Sequence, residues 1–462
     1  MRLPLKKMNK KPPTSHDSIT NPSEVSLNTY SKPSPVRKAS SSETSKKEKT
    51  EKKKKKAYYS THVSIFDGYG ANSVINSQVS LSLPCREAKE SGQSIAVVCA
   101  NRFPDDPEYE AVIRLAECAI SDGCNPELIS QGSSGSYFLK DYHGNTLAVF
   151  KPRDEEPYGL ANPKWGKFWQ RHCCPCCFGR GCIPLNNGYI SEAGASLIDE
   201  RMDINIVPKT KVIMLSSKSF NYPNTRRCCV CNGVAKKVKK VSIRLLRKSP
   251  PPKIGSCQLF VHGYKDAWTW LQHFNKKPLS PEAEKDFCIE FQKLTVLDYI
   301  IRNTDRGYSN WLLKYDEKED SSVLLAAIDN GLAFPFKHPD EWRNYPFYWA
   351  LLPRAKLPYS KEIKEKFLPL LEDEEFIESI VEDLYYLFRV DKNFAHSTFE
   401  KQISVLRGQV INLTEALHEG LSPAELVLKP PITIETKISK NGEIVRRPSK
   451  RVLTGRPFFS NC

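Results

Sequence analysis

The 462-residue chain has no run of about 18 apolar residues, and its N-terminus lacks the apolar core of a secretory signal. The expectation is a cytosolic protein that does not cross a membrane. Acidic residues are scarce at that end: the first 60 residues hold 16 Lys or Arg against 5 Asp or Glu, so +11 of the formal +16 lies in a tail and the body is nearly balanced. Apolar residues are few there too, and Ser, Thr, Pro and Lys dominate, so residues 1–60 read as a disordered basic tail. The block Glu51 to Lys56 has no interleaved aromatics, which argues against nucleic acid and leaves an anionic lipid surface, an import receptor or plain solvation. The 15 cysteines include adjacent pairs unsuited to a disulfide framework, in keeping with a reducing compartment. Neither CCPCC at 173–177 nor CCVC at 228–231 has the paired C-x-x-C spacing of a zinc ribbon, and Cys462 is not placed for prenylation.

The informative stretch is Asp298 to Gly331. Asp305 and Asn310 stand at Asp-x-x-x-x-Asn spacing, that of a loop in which an Asp orients an attacking hydroxyl and an Asn holds a metal ion. Asp329 closes the apolar run Val323 to Ile328, which reads as a buried strand joined by the polar turn DEKEDSS to a strand from Trp311 to Tyr315. A carboxylate at such a strand end is suited to Mg²⁺ on ATP phosphates. Either Asp alone would more often belong to a turn, so the reading depends on a phosphate-binding half upstream.

That half begins after a helix opened by Asp106 and Pro107 and ended at Gly123. In QGSSGSYFLKDYHGNTLAVFKP, Gly132 and Gly135 among serines can lay backbone N–H groups against phosphates. Two strands follow, Tyr137 to Lys140 and Thr146 to Lys151, and Lys151 closes the second in the pattern Ala-Val-Phe-Lys of a phosphate-binding strand. Further on, Ser280 and Pro281 open a long helix with Phe287, Phe291, Leu294, Leu297 and Ile301 on one face, which aims the Asp305 loop. Helical spacing returns over Phe367 to Phe388 and Gln402 to His418. The fold class expected is α+β: a two-lobed, protein-kinase-like fold with a β-rich N-terminal lobe carrying insertions and a mainly helical C-terminal lobe.

The blocks QGSSGSYF, AVFKPRDEEPYG, NPKWGKFWQRHCCPCCFGR, DYIIRNTDRG, AAIDNGLAFPFKHPD and YPFYWA resemble the type II phosphatidylinositol 4-kinases over roughly residues 102–428. The resemblance implies transfer of the γ-phosphate of ATP to the 4-hydroxyl of phosphatidylinositol in membranes. It implies an ATP loop at Ser130, Gln131, Gly132, Ser133, Ser134, Gly135 and Ser136, a phosphate-binding Lys151, and an inter-lobe hinge at Gln258, Leu259, Phe260 and Val261. Asp305 becomes the catalytic Asp, with Asn310 and Asp329 as Mg²⁺ ligands, and Glu156, Pro157 and Tyr158 match a segment associated with substrate. The helix after the hinge has Gln272-His273 where the resemblance implies a basic pair. It also implies palmitoylation at Cys173, Cys174, Cys176 and Cys177, to which Trp165, Phe168 and Trp169 alternating with Lys164, Lys167 and Arg171 form an apolar, basic approach. The place implied is the cytosolic face of Golgi, trans-Golgi network and endosomal membranes, with the plasma membrane a further site. A protein or small-molecule kinase, or a lipid-anchored adaptor on an inactive kinase fold, are the alternatives.

The domain boundaries expected are a tail at 1–60, an irregular lead-in at 61–102, an N-terminal lobe at 103–261 with a Cys-rich insertion at 160–182, a C-terminal lobe at 262–428, and a flexible tail at 429–462. Two features keep two readings. The seven aromatics from Phe334 to Trp349, with Lys337 and Arg343, suit either a loop dipping into a lipid interface or packing on the second lobe. The nine Lys or Arg from Arg226 to Lys248 mark an exposed insertion, with phosphoinositide contact as the second reading.

Overall fold

The computed structural model describes residues 101–164, 180–222, 250–317, 322–339, 345–438 and 444–450. Helix α1 (Pro107–Ser121) starts where Asp106 accepts a hydrogen bond from the Tyr109 N–H at 3.1 Å, with proline in the first turn. It then leads to an antiparallel five-stranded sheet. Its strands are β1 (Glu127–Leu128), β2 (Tyr137–Lys140), β3 (Thr146–Pro152), β4 (Thr210–Leu215) and β5 (Lys253–Leu259), in the order β1-β2-β3-β5-β4. Alternate residues Tyr137, Leu139, Ala148 and Phe150 face α1 and make a small core with Tyr109, Ile113 and Cys257. The Tyr109 hydroxyl, donating to the Cys257 carbonyl at 2.7 Å, ties helix to sheet.

Helix α2 (Gly188–Arg201) lies between β3 and β4 in the chain. The sequence reading assigns it to the first lobe, but its Tyr189, Ile190, Ala193 and Ile198 join the larger core built by the second. That core surrounds α4 (Pro281–Ile300), which follows α3 (Ala267–Lys276) and is capped by Ser280 on the Ala283 N–H at 3.2 Å. Strands β6 (Lys265–Asp266), β7 (Trp311–Lys314) and β8 (Leu324–Ala327) form a second sheet, and α5 (Lys361–Glu372), α6 (Glu374–Phe388), α7 (His396–Glu419) and the short α8 (Pro423–Leu426) complete the helical part.

One expectation is corrected, and one pair of open readings is narrowed. Order continues past 428 where a flexible tail was expected: β9 (Ile432–Ile438) and β10 (Ile444–Lys450) pair antiparallel and Ile432 and Ile434 are buried, while residues 451–462 of that expected tail lie outside the described residues. At Gly408 of α7 the hairpin backbone comes so close that an added Cβ would stand 2.5 Å from the Ile432 carbonyl carbon. Arg446 completes the attachment by pairing with Glu374 and Glu378. Of the aromatics between 334 and 349, Phe334, Phe347 and Trp349 are core residues, so packing accounts for them, while Tyr348 is 47% exposed. Residues 340–344 lie outside the described residues, as do CCPCC and the basic insertion.

Candidate active site

The catalytic-loop candidate is held from beneath by a buried arginine. Arg306 has no exposed side chain; its Nε lies 3.0 Å from both carboxylate oxygens of Asp298 near the end of α4. Its Nη1 donates to the carbonyl of Ile328 at 2.6 Å and to that of Asn310, and its Nη2 donates to the Asn330 side chain. One side chain thus joins the end of α4, the end of the loop and the strand end that carries Asp329. The Trp349 indole N–H donates to the same Asp298 at 3.0 Å. Burying this charge requires such complete pairing. Asn310 donates from its side chain to the Asp305 carbonyl at 2.7 Å, closing the loop on itself.

Asp329 has φ +54°, in the left-handed region that costs most residues energy and that Asp tolerates better than most. The kink turns its carboxylate, 57% exposed, toward Lys151 of β3, with Nζ to Oδ1 at 3.0 Å. The same ammonium lies 2.5 Å from Oε1 of Glu192 on α2, a carboxylate that is 2% exposed. Burial alone would lower the Lys151 pKa, but Asp329 and Glu192 together raise it above the ordinary lysine value. Lys151 in turn holds Asp329 below the usual carboxylate range, while burial pushes Glu192 up. Lys151 is therefore a permanent cation clamped between strand end and helix.

Asp305 faces the same cleft, its Oδ1 2.6 Å from Nη2 of Arg180. Burial holds its carboxyl above the ordinary value, with Arg180 pulling the other way. Ser133, Ser134, Lys151, Glu192, Asp305 and Asp329 all line this cleft. The Gly-rich loop is one wall. Gly135 is buried where its N–H meets the Glu155 carbonyl at 2.9 Å, and a Cβ there would stand 2.9 Å from that of Glu155. Glu155 is itself fully buried, accepting from the Tyr137 hydroxyl at 2.6 Å and from Lys253 at 2.7 Å. Ser130, Gln131, Gly132 and Ser133 are exposed, and Lys164 takes up the carbonyls of Gln131 and Gly132 at 2.6 and 2.8 Å.

Two expected segments sit differently from a simple contact list. Both oxygens of Glu156 accept N–H bonds at the start of α2, from Tyr189 at 2.9 Å and Gly188 at 3.1 Å, so this residue caps the helix that carries Glu192. Burial pushes its carboxyl up to about 7 against the pull of those N–H groups. Pro157 and Tyr158 beside it line the cleft. Gln258 points its side chain into the sheet, donating to the Thr210 hydroxyl at 3.0 Å, and the cleft lining draws on none of Gln258 to Val261. The backbone of that segment is fixed by the Phe260 N–H on the Leu147 carbonyl at 3.0 Å.

Glu192, Arg180 and Arg306 are the site residues that sequence reasoning missed. A charged Glu set among the small residues of ISEAGAS, residues 190–196, was the available signal for the first. Among the described residues no cluster of three or more His, Cys, Asp or Glu is spaced to enclose a metal. By donor type Asp329 and Asn310 suit a small hard cation, because Mg²⁺ keeps several waters and is held by one or two protein oxygens plus substrate phosphates; Asp329 lines the cleft, whereas Asn310 does not, its Oδ1 accepting from the Ser309 hydroxyl at 3.1 Å.

A family model described as phosphatidylinositol 3- and 4-kinase matches residues 132–412. Phosphatidylinositol 4-kinase type 2-alpha of Xenopus laevis is 51% identical over 375 residues, covering 78% of this chain and 80% of that protein. Type 2-beta of Gallus gallus is 47% identical over 393 residues, covering 80% and 82%, and type 2-beta of Mus musculus is 50% identical over 383 residues, covering 78% and 82%.

Proposed function

Because the chain belongs to the phosphatidylinositol 3- and 4-kinase family, we infer that this cleft transfers the γ-phosphate of ATP to the 4-hydroxyl of phosphatidylinositol, giving phosphatidylinositol 4-phosphate and ADP. The observation that carries the reading is the convergence of Lys151, clamped by Glu192 and Asp329, with Asp305 in one cleft. Phosphoryl transfer asks for positioning and charge neutralisation more than for covalent chemistry. Lys151 sets a fixed positive charge against the phosphate oxygens. N–H groups of the Ser130–Ser136 loop other than that of Gly135, which the Glu155 carbonyl holds, cover them, and Asp305 accepts the hydrogen of the attacking hydroxyl and aligns it. Asp329 and Asn310 would hold the Mg²⁺ that arrives with ATP, which when bound neutralises charge on the phosphates. An inactive adaptor would have no need of this constellation.

The enzyme meets its substrate at a membrane through Cys173, Cys174, Cys176 and Cys177, acylated beside the aromatic and basic residues that precede them in sequence. Each buried methylene is worth about 0.8 kcal/mol, and stable attachment takes at least two signals. Residence on the cytosolic face of Golgi, trans-Golgi network and endosomal membranes, extending to the plasma membrane, belongs to the same reading.

The test is incubation with ATP, Mg²⁺ and phosphatidylinositol, followed by chromatography of the deacylated product. A 4-phosphate is expected; a 3-phosphate or a phosphoprotein overturns the assignment. Asp305→Asn should lower turnover at least about a hundredfold with the fold intact, and near-normal turnover would remove Asp305 from the mechanism. Hydroxylamine should release acyl chains from the wild type but not from a variant with all four cysteines changed to serine.

A further inference from the structure

Two cations line the cleft among the described residues, Lys151 and Arg180. The reaction brings together two phosphate-bearing molecules, the nucleotide and the lipid. Lys151 stands between two carboxylates at the strand end assigned to the nucleotide phosphates. Arg180 has a different setting: Nη2 lies 2.6 Å from Asp305, the guanidinium carbon sits 4.2 Å from the centroid of the Tyr345 ring, and the side chain is 20% exposed.

The segment that delivers Arg180 is fixed to the chain beyond Asp329 rather than to the five-stranded sheet. The Phe336 N–H donates to the Cys182 carbonyl at 2.9 Å, and the Ile183 N–H donates to the Arg180 carbonyl at 3.0 Å. Arg180 thus enters from the wall made with residues 334–336, not from β3. A ring beneath the guanidinium sets its plane, and a planar fork of donors matches two oxygens of a phosphate.

We propose that Arg180 binds the phosphodiester of phosphatidylinositol, exchanging its contact with Asp305 for the lipid phosphate. The inference rests on Asp305 facing the acceptor hydroxyl. In the inositol ring the phosphodiester carbon and the 4-hydroxyl carbon are at opposite corners, so the cation that reads the phosphate must stand about one ring width from Asp305. A long side chain that touches Asp305 and is rooted in another wall meets that condition by rotation alone. The exchange also couples the two events: a carboxylate engaged by a guanidinium is a poor acceptor for a hydroxyl hydrogen, and the arriving phosphate draws the guanidinium away.

The experiment uses the purified full chain in neutral-detergent micelles with varied phosphatidylinositol at saturating ATP and Mg²⁺. Losing a charge-assisted bidentate contact is on the order of tenfold to a hundredfold in affinity. Arg180→Gln should therefore raise KM for phosphatidylinositol, and the inhibition constant of glycerophosphoinositol, by about tenfold or more, with Arg180→Lys between it and wild type. The inhibition constant of myo-inositol, which has no phosphate, should stay within about twofold. A fall in kcat alone, equal shifts for both competitors, or a rise confined to KM for ATP each overturns the proposal, the last by giving the guanidinium to the nucleotide. If Arg180→Gln does not fold, the glycerophosphoinositol constant of Arg180→Lys decides, and an unchanged value refutes. Full turnover in Asp305→Asn would mark failure of the underlying reading separately, whatever the Arg180 variants do.

Discussion

Replacing Glu192 by Gln keeps the shape of the side chain and one acceptor but removes the charge that clamps Lys151. The pair it breaks is short, 2.5 Å, and Glu192 is 2% exposed. A hydrogen bond to a charged group is worth about 1.5–3 kcal/mol. Breaking a buried ion pair by removing one partner can cost about 3–5 kcal/mol because the other charge is stranded. Here Lys151 keeps Asp329 at 3.0 Å and is 19% exposed, so the lower range applies. At about 1.4 kcal/mol per tenfold, kcat/KM for ATP should fall by roughly tenfold to a hundredfold. The Mg²⁺ requirement should rise, because Lys151 now leans on Asp329 alone. The melting temperature should drop by a few degrees. Steady-state kinetics with varied ATP and Mg²⁺, combined with a double-mutant cycle against Lys151→Met, measures the pair directly, and the two losses should be strongly non-additive. Unchanged kcat/KM, or losses that simply add, would show that Glu192 does not act through Lys151.

Three further outcomes are expected. Gly135→Ala forces a Cβ against buried Glu155 and should cost about 1–3 kcal/mol by overpacking, read by denaturant unfolding; an unchanged midpoint would show that Glu155 gives way freely. Deleting residues 431–462 should destabilise the helical lobe and lower activity, because Ile432 and Ile434 leave the α7 surface and His338 loses the Ile432 carbonyl, 3.0 Å from its Nε2; a deletion with wild-type melting temperature and turnover would refute the docking. Asp305 must be ionised to accept a hydroxyl hydrogen, so activity falls as pH falls through its pKa. With burial holding that pKa above the ordinary carboxylate value in the free enzyme, the acid limb of the kcat/KM profile for phosphatidylinositol should lie higher than for a solvent-exposed Asp and move higher still in Arg180→Gln, which loses an opposing charge. A limb that stays put in the variant would detach Asp305 from it.

What was legible in the sequence was local. The spacing of Asp305 and Asn310, the strand end at Asp329, the Ser280 and Asp106 caps and the strand that carries Lys151 each depend on neighbours within a few residues, and each element formed where the pattern put it. Two of the residues missed, Glu192 and Arg180, act over long separations, whereas Arg306 meets Asp298 only eight positions away but shows its burial only in the fold. Glu192 meets Lys151 across 41 positions, on a helix so enclosed that Ser191, Glu192, Gly194 and Ser196 are buried alongside its apolar residues, which erases any polar face. Glu156, matched in sequence to a segment associated with substrate, has as its partners backbone N–H groups 32 and 33 positions on, which no local pattern announces. Arg180 meets Asp305 across 125 positions. The C-terminal hairpin was misread because a two-stranded ribbon needs few apolar residues: Lys, Arg and Pro on its other positions give it the composition of a linker.

The all-round pairing of Arg306 means that the two walls of the cleft have different opening energies. The amides of Thr304, Asp305 and Asn310, bonded to Leu332, Asn303 and Gly307, should exchange with the cooperative unit of the helical core, since opening the loop strands a wholly buried guanidinium. The exposed Ser130 to Ser133 stretch is held at its carbonyls by the half-buried Lys164 and Asn162 side chains instead of a wholly buried charge, and should exchange through local fluctuation. The loss of chain freedom on nucleotide binding therefore falls almost wholly on one side. Stiffening the serine-glycine wall tunes affinity, whereas removing Arg306 from beneath the aspartate wall puts the fold of the lobe itself at stake.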